Sequence, residues 1–242
     1  MLYISPPFGN YISLPDTKSI CGTFTWEKRK GIIYHTLRSL RPVYGGWRNQ
    51  IGFRNWGIRN VTFSSDNVYS IGAIHDEEWE MLLTYLPSYL TLELNLGCPN
   101  VAHRPISRDT LRGFLNKFGK KYIHVKVSPE SPLNFIEQLL EDGVSTIHLS
   151  NTLGTDSRGG ISGKQLRLVN LPFVSKVRKL SSGIRIVAGG GIYSKNHLIQ
   201  YHDMGATDYS IATIFLSRPC NIPSIVKTSR ACSWPMTKEV WR

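Results

Sequence analysis

The chain has 242 residues, 41% of them hydrophobic and 11% aromatic, with a formal net charge of +12. That length and apolar content suit one large folded domain and exclude a disordered chain, and no apolar run approaches the roughly 18 residues of a membrane-spanning helix. Cys21, Cys98, Cys220 and Cys232 are widely spaced with no C-x-x-C pair, which points to free thiols in a reducing cytoplasm rather than a disulfide framework or a zinc site.

The opening MLYISPPFGNYISLPD lacks the basic and apolar regions of a secretory signal and reads as an irregular entry with one short strand. Ser19 to Thr25 is the first clear strand, with Gly22 in its middle marking a bulge or a close approach. Residues 27–60 show no clear period and carry several glycines, so we read them as an active-site flap. Eight basic residues lie there (Lys28, Arg29, Lys30, Arg38, Arg41, Arg48, Arg54, Arg59), interleaved with Tyr34, Tyr44, Trp47, Phe53 and Trp56. Such a mixture can bind RNA. The reading preferred here is a solvated flap, with nucleic acid not expected as a partner.

Asn67 to Ile74 is the next strand, and the acidic start at Asp76, Glu77 and Glu78 opens a helix running to about Leu86. In Thr91 to Asn100, TLELNLGCPN, the leucines alternate with Glu93 and Asn95 before Gly97, Cys98 and Pro99 stop the strand. A helix from Ser107 to Phe118, a strand from Tyr122 to Val127 and a helix from Pro132 to Leu140 follow. Thr146 to Ser150 is a strand leading into a glycine-rich loop that ends at Gly163. The helix from Lys164 to Leu180 contains Pro172, which should kink or split it. Gly183 to Ala188 is a strand feeding Gly189, Gly190 and Gly191, Ser194 to Met204 is a helix, and Asp208 to Ala212 is the last strand.

Strands alternating with helices predict a parallel sheet in a single α/β domain over residues 1–242. A closed (β/α)8 TIM barrel with an abbreviated first β/α unit is the first choice. An open Rossmann-like sheet is the runner-up, weakened because G-x-G-x-x-G does not follow the first strand. In a barrel, the loops after the last two strands commonly hold a phosphate, where Gly189 to Gly191, Ala212 and Thr213 fall. Lys126, a cation on an apolar strand, needs an anionic or polar partner if buried. The histidines show no metal-ligand spacing, so no metal site is expected, and His124 and His148 are assigned to strand packing.

These motifs, taken in order, resemble the FMN-dependent dihydroorotate dehydrogenases, most closely the soluble class with a cysteine base. The carrying segments are TWEKR (25–29), RNQIGFRNWG (48–57), SIGA (70–73), ELNLGCPN (93–100), VKVSP (125–129), SNT (150–152), GGISG (159–163) and GGI (190–192). The resemblance covers about residues 20 to 218 and implies a cytoplasmic flavoprotein that oxidises dihydroorotate to orotate in pyrimidine biosynthesis. On that reading Cys98 is the base that takes the C5 proton while C6 passes hydride to the flavin. Asn49, Asn95, Asn100 and Asn151, with Thr152, bind the pyrimidine. Lys126 and Asn151 meet the flavin, and Gly160, Gly190, Gly191, Ala212 and Thr213 cradle its phosphate. A homodimer is implied by the resemblance alone.

Three departures stand out. Gly22 occupies the position of a family lysine, the N-terminal strand-and-helix unit is short, and Ala212 replaces a usual glycine. The alternative is a tRNA dihydrouridine synthase, another FMN barrel with cysteine in an N-x-G-C-P context. It is disfavoured because NVAHRP follows the cysteine–proline pair and VSPE follows Lys126. A degenerate flavin barrel without catalysis is the third reading.

Overall fold

The computed structural model describes residues 1–98, 106–154 and 159–232. In chain order the strands are β1 (Leu2–Ile4), β2 (Thr17–Phe24), β3 (Arg41–Val43), β4 (Gly46–Asn49), β5 (Val68–Ile71), β6 (Thr91–Asn95), β7 (Ile123–Val127), β8 (Thr146–Leu149), β9 (Gly160–Gly163), β10 (Arg185–Gly189) and β11 (Asp208–Ile211). The helices are α1 (Ile32–Ser39), α2 (Glu78–Tyr85), α3 (Arg108–Phe118), α4 (Leu133–Glu141), α5 (Lys164–Leu180), α6 (Lys195–Asp203), α7 (Ile214–Ser217) and α8 (Ile222–Ala231).

Eight strands close a parallel barrel in the order β1, β2, β5, β6, β7, β8, β10, β11. The short β1 completes it, pairing Leu2 with both Thr17 of β2 and Tyr209 of β11. Its crossover is only a 3-10 turn, Phe8–Asn10, where a helix would normally stand, so the abbreviated first unit still closes the ring. That turn packs tightly: a Cβ on Gly9 would lie 2.4 Å from the Ile4 carbonyl oxygen and 2.2 Å from that of Ile20.

The period-two pattern divides the core into two. Outward residues such as Leu92, Leu94, Val125, Val127, Ile147 and Leu149 join Trp79, Phe114, Val174 and Leu198 of the helices in one apolar cluster. Tyr3, Ile20, Val68 and Val187, of opposite parity, form a separate cluster inside the barrel. Helix ends follow ordinary capping chemistry: Ser107 and Ser194 accept the Thr110 and His197 backbone N–H at the starts of α3 and α6.

Three sequence expectations change. Residues 27–60 are not featureless: they carry α1 and the β3–β4 hairpin, which joins β9 in an antiparallel three-stranded sheet. Short, basic strands paired only with one another carry no core-facing alternation, so periodicity could not reveal them. The loop before Gly163 likewise contains β9. Finally, α5 runs unbroken through Pro172. The carbonyl that proline leaves without a partner is that of Leu168, a residue 58% exposed, where water can satisfy it.

Candidate active site

The carboxyl ends of the barrel strands bring together Ser5, Thr23, Ser70, Asn95, Cys98, Lys126, Ser150, Asn151, Gly189 to Gly191, Ala212 and Thr213. In parallel α/β barrels this end carries the chemistry. Several of these side chains meet only across the barrel's interior, since their strands are not neighbours.

A directed hydrogen-bond chain runs through them. Asn151 Nδ2 donates to Asn95 Oδ1 (2.8 Å), and Asn95 Nδ2 donates to Thr23 Oγ1 (2.9 Å). Thr23 Oγ1 and Ser70 Oγ are 3.0 Å apart, and Ser70 Oγ donates to Glu93 Oε1 at 2.8 Å. Since Ser70 gives its proton to Glu93, the Thr23 hydroxyl is the donor in the preceding link. On the other side, His148 Nδ1 lies 2.5 Å from Glu93 Oε2, and His148 Nε2 lies 2.8 Å from Ser210 Oγ. Ser210 Oγ in turn lies 3.1 Å from Ser150 Oγ.

Glu93 is fully buried, and Lys126 Nζ stands 3.7 Å from its Oε1. Burial raises a carboxyl pKa, but the Lys126 charge and the hydrogen bonds from His148 and Ser70 outweigh it and hold Glu93 well below the usual carboxylate range. Burial pushes His148 the opposite way, below the ordinary histidine value, and Glu93 only partly restores it. A neutral His148 therefore donates from Nδ1 to the carboxylate.

Lys126 is 7% exposed, which excludes an edge-strand lysine reaching into solvent. Cys98 is also buried. The strand tip is pressed inward: a Cβ on Gly97 would lie 2.4 Å from the Ser128 backbone nitrogen, so only glycine passes there. Asn95 and Asn151 meet directly, as described. Asn49 ends β4 opposite Gly160, on the sheet that links the hairpin to the loop after β8. Thr152 is half-buried in that loop. Asn100 lies outside the described residues.

The glycine turn after β10 is held from behind. Tyr201 donates its hydroxyl to the Gly189 and Gly190 carbonyls (2.7 and 2.9 Å), and Asn170 Nδ2 donates to those of Leu149 and Gly189 (2.6 and 2.8 Å). Gly190 and Gly191 have φ of 90° and 66°, the left-handed region that favours glycine. Ala212 needs no such freedom, since it is absent from the positive-φ residues, which removes the physical reason to expect glycine there. Thr213 is the N-cap residue of α7.

Besides pairing with β9, the hairpin is anchored to α7 and to the start of α5. Trp47 Nε1 donates to Ser217 Oγ at 3.0 Å, and Lys164 N donates to the Gly45 carbonyl at 2.7 Å. At its base, buried Asn55 takes the Thr25 and Gly57 N–H groups and donates to Thr25 Oγ1. Many cations of this segment brace it internally. Arg41 donates to the Leu37 and Leu40 carbonyls and Arg54 to that of Lys30, while Lys28 sits 4.3 Å from the Trp56 ring centre.

The family model for dihydroorotate dehydrogenase matches residues 17–229, nearly the whole described barrel. The chain belongs to the dihydroorotate dehydrogenase family. Among similar family members is the dihydroorotate dehydrogenase B (NAD(+)) catalytic subunit of Latilactobacillus sakei, 26% identical over 60% of this chain and 54% of the relative. The chain thus spans about half the length of that protein in the match. The corresponding subunit of Oceanobacillus iheyensis is 26% identical over 72% of this chain and 68% of its own. The fold is that of the ligand-free dihydroorotate dehydrogenase of Eimeria tenella, with a TM-score of 0.70 at 16% identity, covering 94% of this chain and 82% of that one. No helix among the described residues is long and apolar enough to cross a membrane.

Family enzymes bind FMN, and the mouth fits such a group. Ser5 Oγ, at the end of β1 beside β11, is buried with no hydrogen-bond partner among the described residues, an orphan hydroxyl available to a polar ligand. The same barrel end carries Lys126, the paired amides Asn95 and Asn151, and the glycine turn after β10. No group of three or more His, Cys, Asp or Glu among the described residues could hold a metal.

Sequence reasoning missed Ser5, Thr23, Ser70, Glu93, His148 and Ser210. Two signals pointed to them. Glu93 sits two residues before Asn95 and therefore on the same face, and a buried Lys126 requires an anion. Distances across the barrel, between strands distant in sequence, carried the rest.

Proposed function

We propose that this protein oxidises dihydroorotate, or a close dihydropyrimidine, to its unsaturated product with FMN at the barrel mouth. The observation carrying this reading is the convergence of Cys98, Lys126, Asn95 and Asn151 at one barrel end, in a member of this family. When bound, FMN supplies the acceptor for the hydride leaving C6. Lys126 stands with its ammonium at the mouth, suited to the electron-rich edge of the flavin. Gly160, Gly190, Gly191, Ala212 and Thr213 lie on the loops that would hold the phosphate, with Ser5 as a further donor.

Cys98 takes the C5 proton onto its sulfur, a task that requires the thiolate. Burial helps by excluding water from the proton's path. Asn95 and Asn151 orient one another, so each presents its remaining polar atoms in a fixed direction to the ring's alternating N–H and C=O edges. Asn49, Asn100 and Thr152 complete the substrate contacts in this reading. Residues 27–60 act as the cover, its hairpin anchored by Trp47 and Gly45. The two bacterial relatives carry NAD(+) in their names, which makes a nicotinamide cofactor the first terminal oxidant to assay.

The test is anaerobic addition of dihydroorotate to the FMN-loaded protein. The absorbance of the oxidised flavin should bleach. Cys98→Ala should slow bleaching by about 10²-fold or more while retaining FMN. Undiminished bleaching would remove Cys98 from the role, and absence of bleaching in the unaltered protein would overturn the reading.

A further inference from the structure

We propose that Glu93 is a positioning residue that acts through Lys126, moderating the positive charge that Lys126 presents to a flavin at the mouth. The proposal rests on the functional reading above. It begins from a costly arrangement: a carboxylate with 0% exposure, placed one strand step below Asn95 and inside the barrel. An apolar side chain would fill that volume at least as stably, because buried ion pairs rarely gain over well-packed hydrophobic groups.

The geometry shows what the carboxylate touches. Its Oε1 faces Lys126 Nζ at 3.7 Å and Ser70 Oγ at 2.8 Å, and its Oε2 faces His148 Nδ1 at 2.5 Å. Lys126 pairs in register with Asn95 on one side and His148 on the other, at the mouth end of β7. The ammonium is thus shared between an anion below and a ligand above. Reduction makes a flavin more electron-rich, so a cation at its edge favours the reduced form. Glu93 offsets part of that cation. His148 draws on the second carboxylate oxygen and so limits how much of the charge reaches Lys126. It is held in turn by Ser210, which meets Ser150 where a Cβ on Gly189 would intrude, at 2.1 and 2.5 Å from the two hydroxyls.

Opposite shifts follow from the two ends of this chain. In Glu93→Gln, Lys126 faces the flavin uncompensated, and the bound flavin becomes easier to reduce. In His148→Leu, the carboxylate loses its second partner and concentrates on Lys126, so the flavin becomes harder to reduce. The FMN-loaded proteins are equilibrated with a reference dye of known potential, and the reduced-to-oxidised ratio is read from absorbance. The expected result is a rise of at least about tenfold for Glu93→Gln and a fall for His148→Leu. FMN affinity, read from quenching of flavin fluorescence, and the thermal midpoint accompany each measurement. Movement of both variants in the same direction, or no movement in Glu93→Gln, overturns the proposal. A purely structural role would weaken FMN binding and stability in both without opposite signs. Failure of the unaltered protein to take up FMN overturns the functional reading as well, and is seen before any variant is compared.

Discussion

Gly22 stands where the family resemblance leads one to expect a lysine, and its surroundings explain why none is present. Its φ is 121°, and a Cβ would lie 2.3 Å from the Ser70 carbonyl oxygen and 2.9 Å from the Phe24 nitrogen. The adjoining backbone is fixed from outside the barrel, since Asn10 accepts the Gly22 N–H at 2.8 Å and donates to its carbonyl at 3.3 Å. Gly22→Lys should therefore not restore a family contact. It should destabilise the protein by about 1–3 kcal/mol or more, from left-handed strain and collision with backbone. Urea denaturation checks this, and a variant as stable as the unaltered protein would show that β2 can re-form around a side chain. Neither of the lysines nearest in sequence, Lys18 and Lys28, stands in for that cation. Lys18 lies near the opposite, amino end of β2, and Lys28 rests on Trp56, away from the barrel strands. The buried cation described at the mouth is Lys126.

At the scale of the element, β10 and its glycine turn show how much one position can carry. Gly189 ends β10 within the reach of Ser210, Ser150, Tyr201 and Asn170, which join β11, the end of β8, α6 and α5 to the same turn. Gly189→Ala should cost about 1–3 kcal/mol, because overpacked sites force side chains off their rotamers. It should also weaken FMN binding by displacing Ser210 from His148. Chemical denaturation and FMN fluorescence titration would measure the two losses, and unchanged values for both would sever β10 from the network. Most barrel strands and helices were legible because their apolar residues keep a period of two or near 3.6, and because Ser107 and Ser194 mark helix starts. The hairpin β3–β4 and strand β9 were not. Their residues are basic, small or half-exposed, and β4 and β9 pair across more than a hundred positions.

Across the whole molecule, the barrel floor and the mouth are both polar, separated by the apolar layer of Tyr3, Ile20, Val68 and Val187. At the floor, Arg185 holds Asp208 through two hydrogen bonds of 2.7 and 2.8 Å, and the amino terminus joins Asp208 at 2.9 Å. Burial raises the Asp208 carboxyl, but Arg185 and the terminal amine outweigh it and bring it down to about 2. A carboxyl depressed in the folded state stabilises above its unfolded pKa, near 4, and that contribution fades as pH falls towards 2. His124 adds to this acid sensitivity at higher pH. Burial first, then the Arg185 charge, push it down from 6.5 to about 3, so the folded protein keeps it neutral where the unfolded chain protonates. Its contribution is complete above pH 6.5 and is lost progressively below it, at up to about 1.4 kcal/mol per pH unit until pH approaches 3. His124→Phe retains a ring against Tyr3, whose edge contact has a centroid distance of 5.7 Å, and removes the titration. Stability measured from pH 7 to 4 should then fall less steeply by about one proton's worth. An identical slope in both proteins would show that other groups set the acid limb.

By itself the sequence determined the alternation of strands and helices in a parallel α/β fold and the family, because periodic apolar residues and ordered local motifs are properties of neighbouring positions. It also located Cys98, Lys126, Asn95 and Asn151, each at the end of a recognisable strand. Only the tertiary structure decided that Asn95 and Asn151 bond to one another, that Lys126 shares Glu93 with His148, and that Gly22 cannot be a lysine in this backbone. Those facts depend on distances across the barrel's interior, between strands far apart in the chain. They are set by closure of the ring, which no local pattern encodes.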